Sequence, residues 1–173
     1  AQGSFHESLN LASLWNLPCL FVIENNEWGM GTAVNRAISV DKIAESKASG
    51  YGMQAYTING MDFFECFDAF ESIGKEIKKT KRPVLVEAKT QRFRGHSISD
   101  PALYRSKEEL SSCMEKDPIQ YFRKILTDLN FLSDEEFEKT SQEKKEIVKQ
   151  AMEFASNSPW PNISLLEEDV LAP

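Results

Sequence analysis

Apolar residues recur along this chain with two different periods, and the changes of period mark out its elements. Between Phe5 and Leu17, the sets Phe5, Leu9, Ala12 and Leu11, Leu14, Trp15 fall at helical spacing until Pro18 ends the run. Cys19, Leu20, Phe21, Val22 and Ile23 then form an unbroken apolar stretch, which suits a strand covered on both faces as in a parallel sheet. That stretch stops abruptly at Glu24, Asn25 and Asn26. After a polar, Gly-rich connection a second strand is expected over Ala55 to Ile58. Asn59 and Gly60 then turn the chain into Asp62, a residue type suited to cap a helix. Phe63, Phe67, Phe70 and Ile77, with Cys66 and Ile73 alongside, predict an amphipathic helix. It ends at Lys78 and Lys79, where cations meet the partial negative charge of a helix C-terminus. Pro83 opens a third strand, Val84 to Lys89.

Strand, helix, strand at these intervals is the alternation of a parallel sheet, so the pattern predicts an α/β layer with ligand sites at the carboxyl ends of the strands. From residue 106 onward the signals are helical only. Ser106 with Glu109, Asp117 followed by Pro118, and Ser133 with Glu136 mark three helix starts. The last helix, roughly residues 134 to 156, carries Phe137, Ile147, Val148, Ala151 and Phe154 on one stripe, and Pro159, Pro161 and Pro173 mark an irregular end. The chain is thus expected to divide into an α/β part, residues 1–105, and a helical part, residues 106–173, packed on it.

Composition narrows the function classes. The chain has 173 residues, 41% of them apolar, enough for a sizeable core. No stretch has the ~20 uncharged apolar residues of a membrane-spanning helix, and the opening residues have neither the basic nor the apolar region of a secretory signal. Cys19, Cys66 and Cys113 are far apart and form no metal spacing, so they read as reduced thiols in a reducing compartment. The acidic balance, a net charge of −7, argues against nucleic-acid binding. Residues 1–105 carry twelve acidic and twelve basic side chains, and residues 106–173 fifteen and eight, so the whole excess lies in the second part. Lys75 to Arg105 alone holds nine basic residues against three acids, a bias that could serve an anion or simply be solvated.

Two polar segments carry candidate chemistry. Glu24, Asn25, Asn26, Glu27, Trp28, Gly29, Met30 and Gly31 stand where the first apolar strand ends. The Asn26 amide oxygen and the main-chain carbonyl of Trp28, two residues on, can point to one place and offer hard, neutral ligands for Mg²⁺. An Asn-Asn pair before Gly is also ordinary turn chemistry, and the residues alone leave both readings open. The second segment, Arg92 to Pro101, follows the third strand and so leaves the same sheet edge. Arg92 offers a fork for phosphate oxygens, and His96 can donate to a diphosphate or exchange a proton near neutral pH; a histidine in such a loop can equally be an exposed turn residue. With Gly95, Ser97 and Ser99 and no apolar period, residues 92–105 are expected to be mobile until an anion orders them.

The run ENNEWGMGTAVNRA resembles the second half of the thiamin diphosphate motif. The ordered series QGSFHESLNLASLWNLPCLFVIENN, INGMD, RPVLVEAKTQRFRGHSISDP, YRSKEEL and KDPI is similar to the alpha subunits of thiamin-diphosphate-dependent 2-oxo acid dehydrogenases. The HSISDP wording is closest to the pyruvate dehydrogenase type; branched-chain and acetoin dehydrogenases are the alternatives, as is a noncatalytic remnant serving as a scaffold. The resemblance implies that a Gly-Asp-Gly stands a few residues before Ala1, making this the C-terminal half of a longer subunit with a thiamin-diphosphate-binding α/β fold. It implies Asn26 and Trp28 as Mg²⁺ ligands, Arg92 and His96 as cofactor contacts, and His96 as a catalytic residue at the active-site entrance. It further implies a beta subunit, in an assembly of two alpha and two beta chains, a lipoyl acyltransferase component, and a small 2-oxo acid as substrate. The location would be the cytoplasm in a bacterium and an organellar matrix in a eukaryote. Asn59 departs from the aspartate common in the family, which puts any hydrogen bond needing a carboxylate there in doubt.

Overall fold

A computed structural model describes residues 2–168 and residue 170. Helix α1 (Gly3–Leu14) buries Leu9 and Ala12, and ends where the Trp15 and Leu17 amides donate to the Leu11 and Ala12 carbonyls. Strand β1 (Leu20–Asn25) leads into a short antiparallel hairpin, β2 (Trp28–Gly29) with β3 (Thr32–Ala33), and then into helices α2 (Val34–Ala37) and α3 (Ile43–Ala48). Strand β4 (Gln54–Asn59), helix α4 (Phe63–Thr80) and strand β5 (Val84–Lys89) follow. Three helices complete the chain, α5 (Lys107–Met114), α6 (Pro118–Asp128) and α7 (Asp134–Asn157), before a 3-10 turn at Ile163–Leu166. Pro173 lies outside the described residues.

Strands β1, β5 and β4 form one parallel sheet in that order, with Leu20 and Gln54 both opposite Val84. The central position of β5 explains its composition: Val84 to Ala88 are all buried. One face of the sheet packs Ile58, Val84, Val86 and Ala88 against Ile73 and Ile77 of α4. The other packs Leu85 with Leu9 of α1, Ala44 and Ala48 of α3, and Met53. Each fully buried Ile or Leu stabilises such a layer by about 1.5–3 kcal/mol.

The structure corrects three sequence expectations. First, within this chain β1 is covered on one face only: Phe21 and Ile23 face the core, whereas Leu20 and Val22 are 40% and 45% exposed. Second, the inward stripe of α4 runs through Cys66, Ala69, Phe70, Ile73 and Ile77. Phe63 and Phe67 lie outward, where Phe63 meets Phe64, Phe67 and Phe122. Third, only part of the predicted capping at Ser106 forms: its hydroxyl accepts from the Glu109 amide, but the Glu109 carboxylate turns to Arg105. At Ser133 and Glu136 both halves of the capping box are present, and Asp62 and Asp117 cap α4 and α6 as expected.

The chain forms two compact units, dividing between Lys124 and Ile125. This does not coincide with the change of charge near residue 105, because α5 and the start of α6 belong to the first unit. In the second unit α7 buries none of its residues, and Ile147, Val148 and Phe154 are exposed.

Candidate functional site at the carboxyl end of the sheet

At the end of β1 two consecutive asparagines each close a turn on the backbone. The Asn25 Oδ1 accepts from the Glu27 amide at 2.9 Å, and the Asn26 Oδ1 accepts from the Trp28 amide at 3.0 Å. These Asx turns, with Glu27 in the left-handed region at φ 66°, swing the chain off the sheet into β2. The structure thus brings Asn26 and Trp28 into one turn. The Asn26 oxygen keeps a second lone pair for an external partner. The register places Asn25 opposite Lys89, and the Thr90 amide donates to the Asn25 carbonyl at 2.9 Å, so the segment after β5 leaves the same edge.

Beneath this turn lies a residue that sequence reasoning had not singled out. Glu87, in the middle of β5, is fully buried. Its Oε1 accepts from Asn25 Nδ2 at 2.7 Å and from Lys89 Nζ at 2.7 Å. Its Oε2 accepts from the Ile43 and Ala44 amides, at 2.8 and 3.1 Å, where α3 begins. Burial pushes the Glu87 pKa up. The hydrogen bonds from Lys89, Asn25 and the Ala44 amide, with the Lys89 charge, outweigh it and hold the carboxyl below its ordinary value. The signal in the sequence was an acid inside an otherwise apolar strand.

Arg92 joins the segment after β5 to the β2–β3 hairpin. Its Nη2 donates to the Met30 carbonyl at 2.7 Å and to the Tyr104 hydroxyl at 2.6 Å. Its Nε is buried and has no partner among the described residues. Tyr104 in turn donates to Asp100 Oδ2 at 2.6 Å, and the same carboxylate accepts from the His96 and Ala102 amides at 2.7 and 2.8 Å. The Tyr104 hydroxyl first, then those two amides, hold the Asp100 carboxyl down at about 2. The Tyr104 ring packs on Trp28, with centroids 5.1 Å apart, and the Arg105 guanidinium stands 5.8 Å from the Trp28 ring centre. Arg105 is itself buried, bonded to the Arg92 carbonyl, to Glu109 and to Cys113 Sγ.

Residues 92–105 lack an apolar period, as the sequence showed; in the conformation described, a polar hub at Asp100 and the buried side chains of Ala102 and Arg105 hold the segment. His96 stands apart from the other candidates. It is exposed, tied to Asp100 only through its backbone, and its ring makes no hydrogen bond among the described residues. His6 lies elsewhere, on α1, with Nδ1 2.9 Å from the Tyr51 hydroxyl.

A cleft of ≈ 360 Å³ opens beside the turn, lined by Asn25, Glu27, Trp28, Asp41, Ile43 and Lys89, and a wider one of ≈ 610 Å³ continues past Lys89 to Asn59, Asp62 and Gln91. Among the described residues no three His, Cys, Asp or Glu side chains are grouped to hold a metal ion. What the turn offers is neutral oxygen from Asn26 and the Trp28 main chain; Arg92, bonded to Met30 in the following hairpin, has one buried donor without a partner among the described residues. Magnesium takes oxygen ligands and commonly completes its shell from phosphate, so this set fits a Mg²⁺ diphosphate as partial ligand and counter-charge.

A family model described as "Dehydrogenase E1 component" matches residues 1–164. A Rickettsia bellii protein named pyruvate dehydrogenase E1 component subunit alpha is 44% identical over 161 residues, 93% of this chain and 49% of that protein. Proteins of the same name from Rhizobium meliloti and Porphyra purpurea are 37% and 38% identical over 98% of this chain and 49% of their own lengths. The chain spans about half the length of the curated relatives it matches. With residues 1–164 covered by the family model and 44% identity to one member, the chain belongs to the dehydrogenase E1 component family.

Proposed function

We propose that this chain is the C-terminal half of a pyruvate dehydrogenase alpha subunit. It would act with a beta subunit, in an assembly of two alpha and two beta chains, to decarboxylate pyruvate and reductively acetylate the lipoyl group of an acyltransferase component. When bound, thiamin diphosphate supplies the carbanion that adds to the 2-oxo carbon and lets carbon dioxide leave. The chain's own part is to bind and position. Asn26 Oδ1 and the Trp28 carbonyl serve as Mg²⁺ ligands, Arg92 as a diphosphate contact, and His96 as the exposed group at the entrance that can exchange a proton with what enters. The α/β part, residues 1–105, carries this site, and residues 106–173 are its helical extension. The same reading puts the enzyme in the cytoplasm of a bacterium or the organellar matrix of a eukaryote.

The observation that carries the proposal is the Arg92 bridge. One guanidinium ties residues 92–105 to Met30, in the hairpin that follows the Asn26–Trp28 turn at the carboxyl end of a parallel sheet, and its buried Nε–H has no acceptor among the described residues. Its test is calorimetric titration of the full-length alpha and beta assembly with thiamin diphosphate, with and without Mg²⁺. Asn26→Ala is expected to weaken Mg²⁺-dependent binding by roughly tenfold or more, since even groups one shell out from a metal typically have effects of that size. Glu138→Ala, at an exposed position of α7, is expected to change nothing. Normal Mg²⁺ dependence in Asn26→Ala would return the Asn pair to turn chemistry.

A further inference from the structure

We infer that Glu87 is a positioning residue for the Asn26–Trp28 turn. It acts through Asn25, and this rests on reading that turn as the Mg²⁺ and diphosphate site. The Glu87 carboxylate divides its two oxygens between two tasks. Oε2 is engaged by the Ile43 and Ala44 amides at the start of α3, a purely architectural tie. Oε1 is engaged by Asn25 Nδ2 and by Lys89 Nζ, at 2.7 Å each. An apolar side chain would fill the same place on β5 without the cost of burying a charge, so packing does not account for an acid there.

The Oε1 contact sets the direction of the Asn25 amide. A carboxylate only accepts and a backbone N–H only donates, so Nδ2 must face Glu87 and Oδ1 must face the Glu27 amide. That second bond, at 2.9 Å, closes the first Asx turn, and the Asn26 Oδ1 bond to the Trp28 amide, at 3.0 Å, closes the next. Glu87 thereby fixes the path of the backbone from Asn25 to Trp28 without touching the ligand itself. Because the same side chain grips α3, Asp41 and Ile43, which line the cleft beside Trp28, are held in register with the turn. Lys89, also on that cleft, neutralises the carboxylate from the solvent side.

The full-length alpha and beta assembly serves for the test, with Mg²⁺-dependent binding of thiamin diphosphate titrated by calorimetry and amide exchange followed by mass spectrometry. In Glu87→Gln the amide oxygen can still accept from the Ile43 and Ala44 amides, but its NH₂ then faces Asn25 Nδ2, donor against donor. Binding should weaken by about tenfold or more, with faster exchange at Glu27 and Trp28 and none at Ile43 and Ala44. Asn25→Asp alone sets two carboxylates against each other and should also lose binding. The double variant Glu87→Gln/Asn25→Asp reverses donor and acceptor, keeps one negative charge beside Lys89, and should restore most of the affinity. A Glu87→Gln assembly that melts earlier but binds normally would reduce Glu87 to an anchor for α3. A double variant no better than Glu87→Gln would remove Asn25 from the path. If Glu87→Gln does not fold, Asn25→Ala leaves Glu87 paired with Lys89 and α3, and normal binding in that variant overturns the proposal equally. Wild-type protein without Mg²⁺-dependent binding, or a silent Asn26→Ala, overturns the cofactor reading and the proposal with it.

Discussion

Three donors converge on Asp100, and each favours its charged form: the Tyr104 hydroxyl and the His96 and Ala102 amides. The carboxyl accordingly falls from 3.8 to about 2. A folded-state pKa below the unfolded one contributes stability that is complete above the ordinary carboxylate range and is lost as pH drops through the folded value. The hub should therefore survive at pH 4 and come apart only toward pH 2. We predict that the His96 and Ala102 amide-proton shifts titrate with a midpoint at about 2; a midpoint at 3.8 would show that Asp100 is not held this way. The same arrangement explains why Gly31 faces Tyr104: a Cβ there would approach the ring to 3.2 Å.

At the scale of elements, strand β5, the Asp62 cap and the Ser133 capping box were legible in the sequence, because each depends on a few neighbouring residues. The turn at Asn25 and Asn26 was legible for the same reason. What sequence could not show is which side of an element meets the core when more than one stripe is apolar. In α4 Phe63, Phe67, Phe70 and Ile77 share a helical period with Cys66 and Ile73, and only the sheet decides between them. Ile77→Ala should therefore cost about 2–5 kcal/mol, as a core truncation does, whereas Phe67→Ala, at a site 59% exposed, should stay within about 0.5 kcal/mol in urea unfolding. Equal losses would mean that the outward aromatic cluster is part of the core. Glu87 escaped the reading because its partners Asn25 and Ile43 come from remote parts of the chain. The Asp100 hub is local, with His96, Ala102 and Tyr104 all within four residues, but hydrogen bonds within a turn leave no apolar period to read.

For the molecule as a whole, the strand order separates what can form early from what must come late. Strands β4 and β5 are joined by α4 alone, so their pairing closes a short loop, whereas β1 reaches β5 only across everything from β2 to α4. Closing the longer loop is entropically harder, and pairings between remote segments form late in folding. The β4–α4–β5 unit should act as the nucleus, with β1 added along its free side. Kinetic analysis of core truncations should then give Ile77→Ala a φ-value near 0.5–0.8 and Ile23→Ala one near 0–0.3. The reverse ranking would place β1 in the nucleus. Because the Asn25 to Glu87 bond spans 62 residues, it can close only after β1 docks. The turn proposed to hold Mg²⁺ is consequently completed only when β1 docks: a chain interrupted before that step would show near-native helix content while the Glu27 and Trp28 amides still exchanged freely.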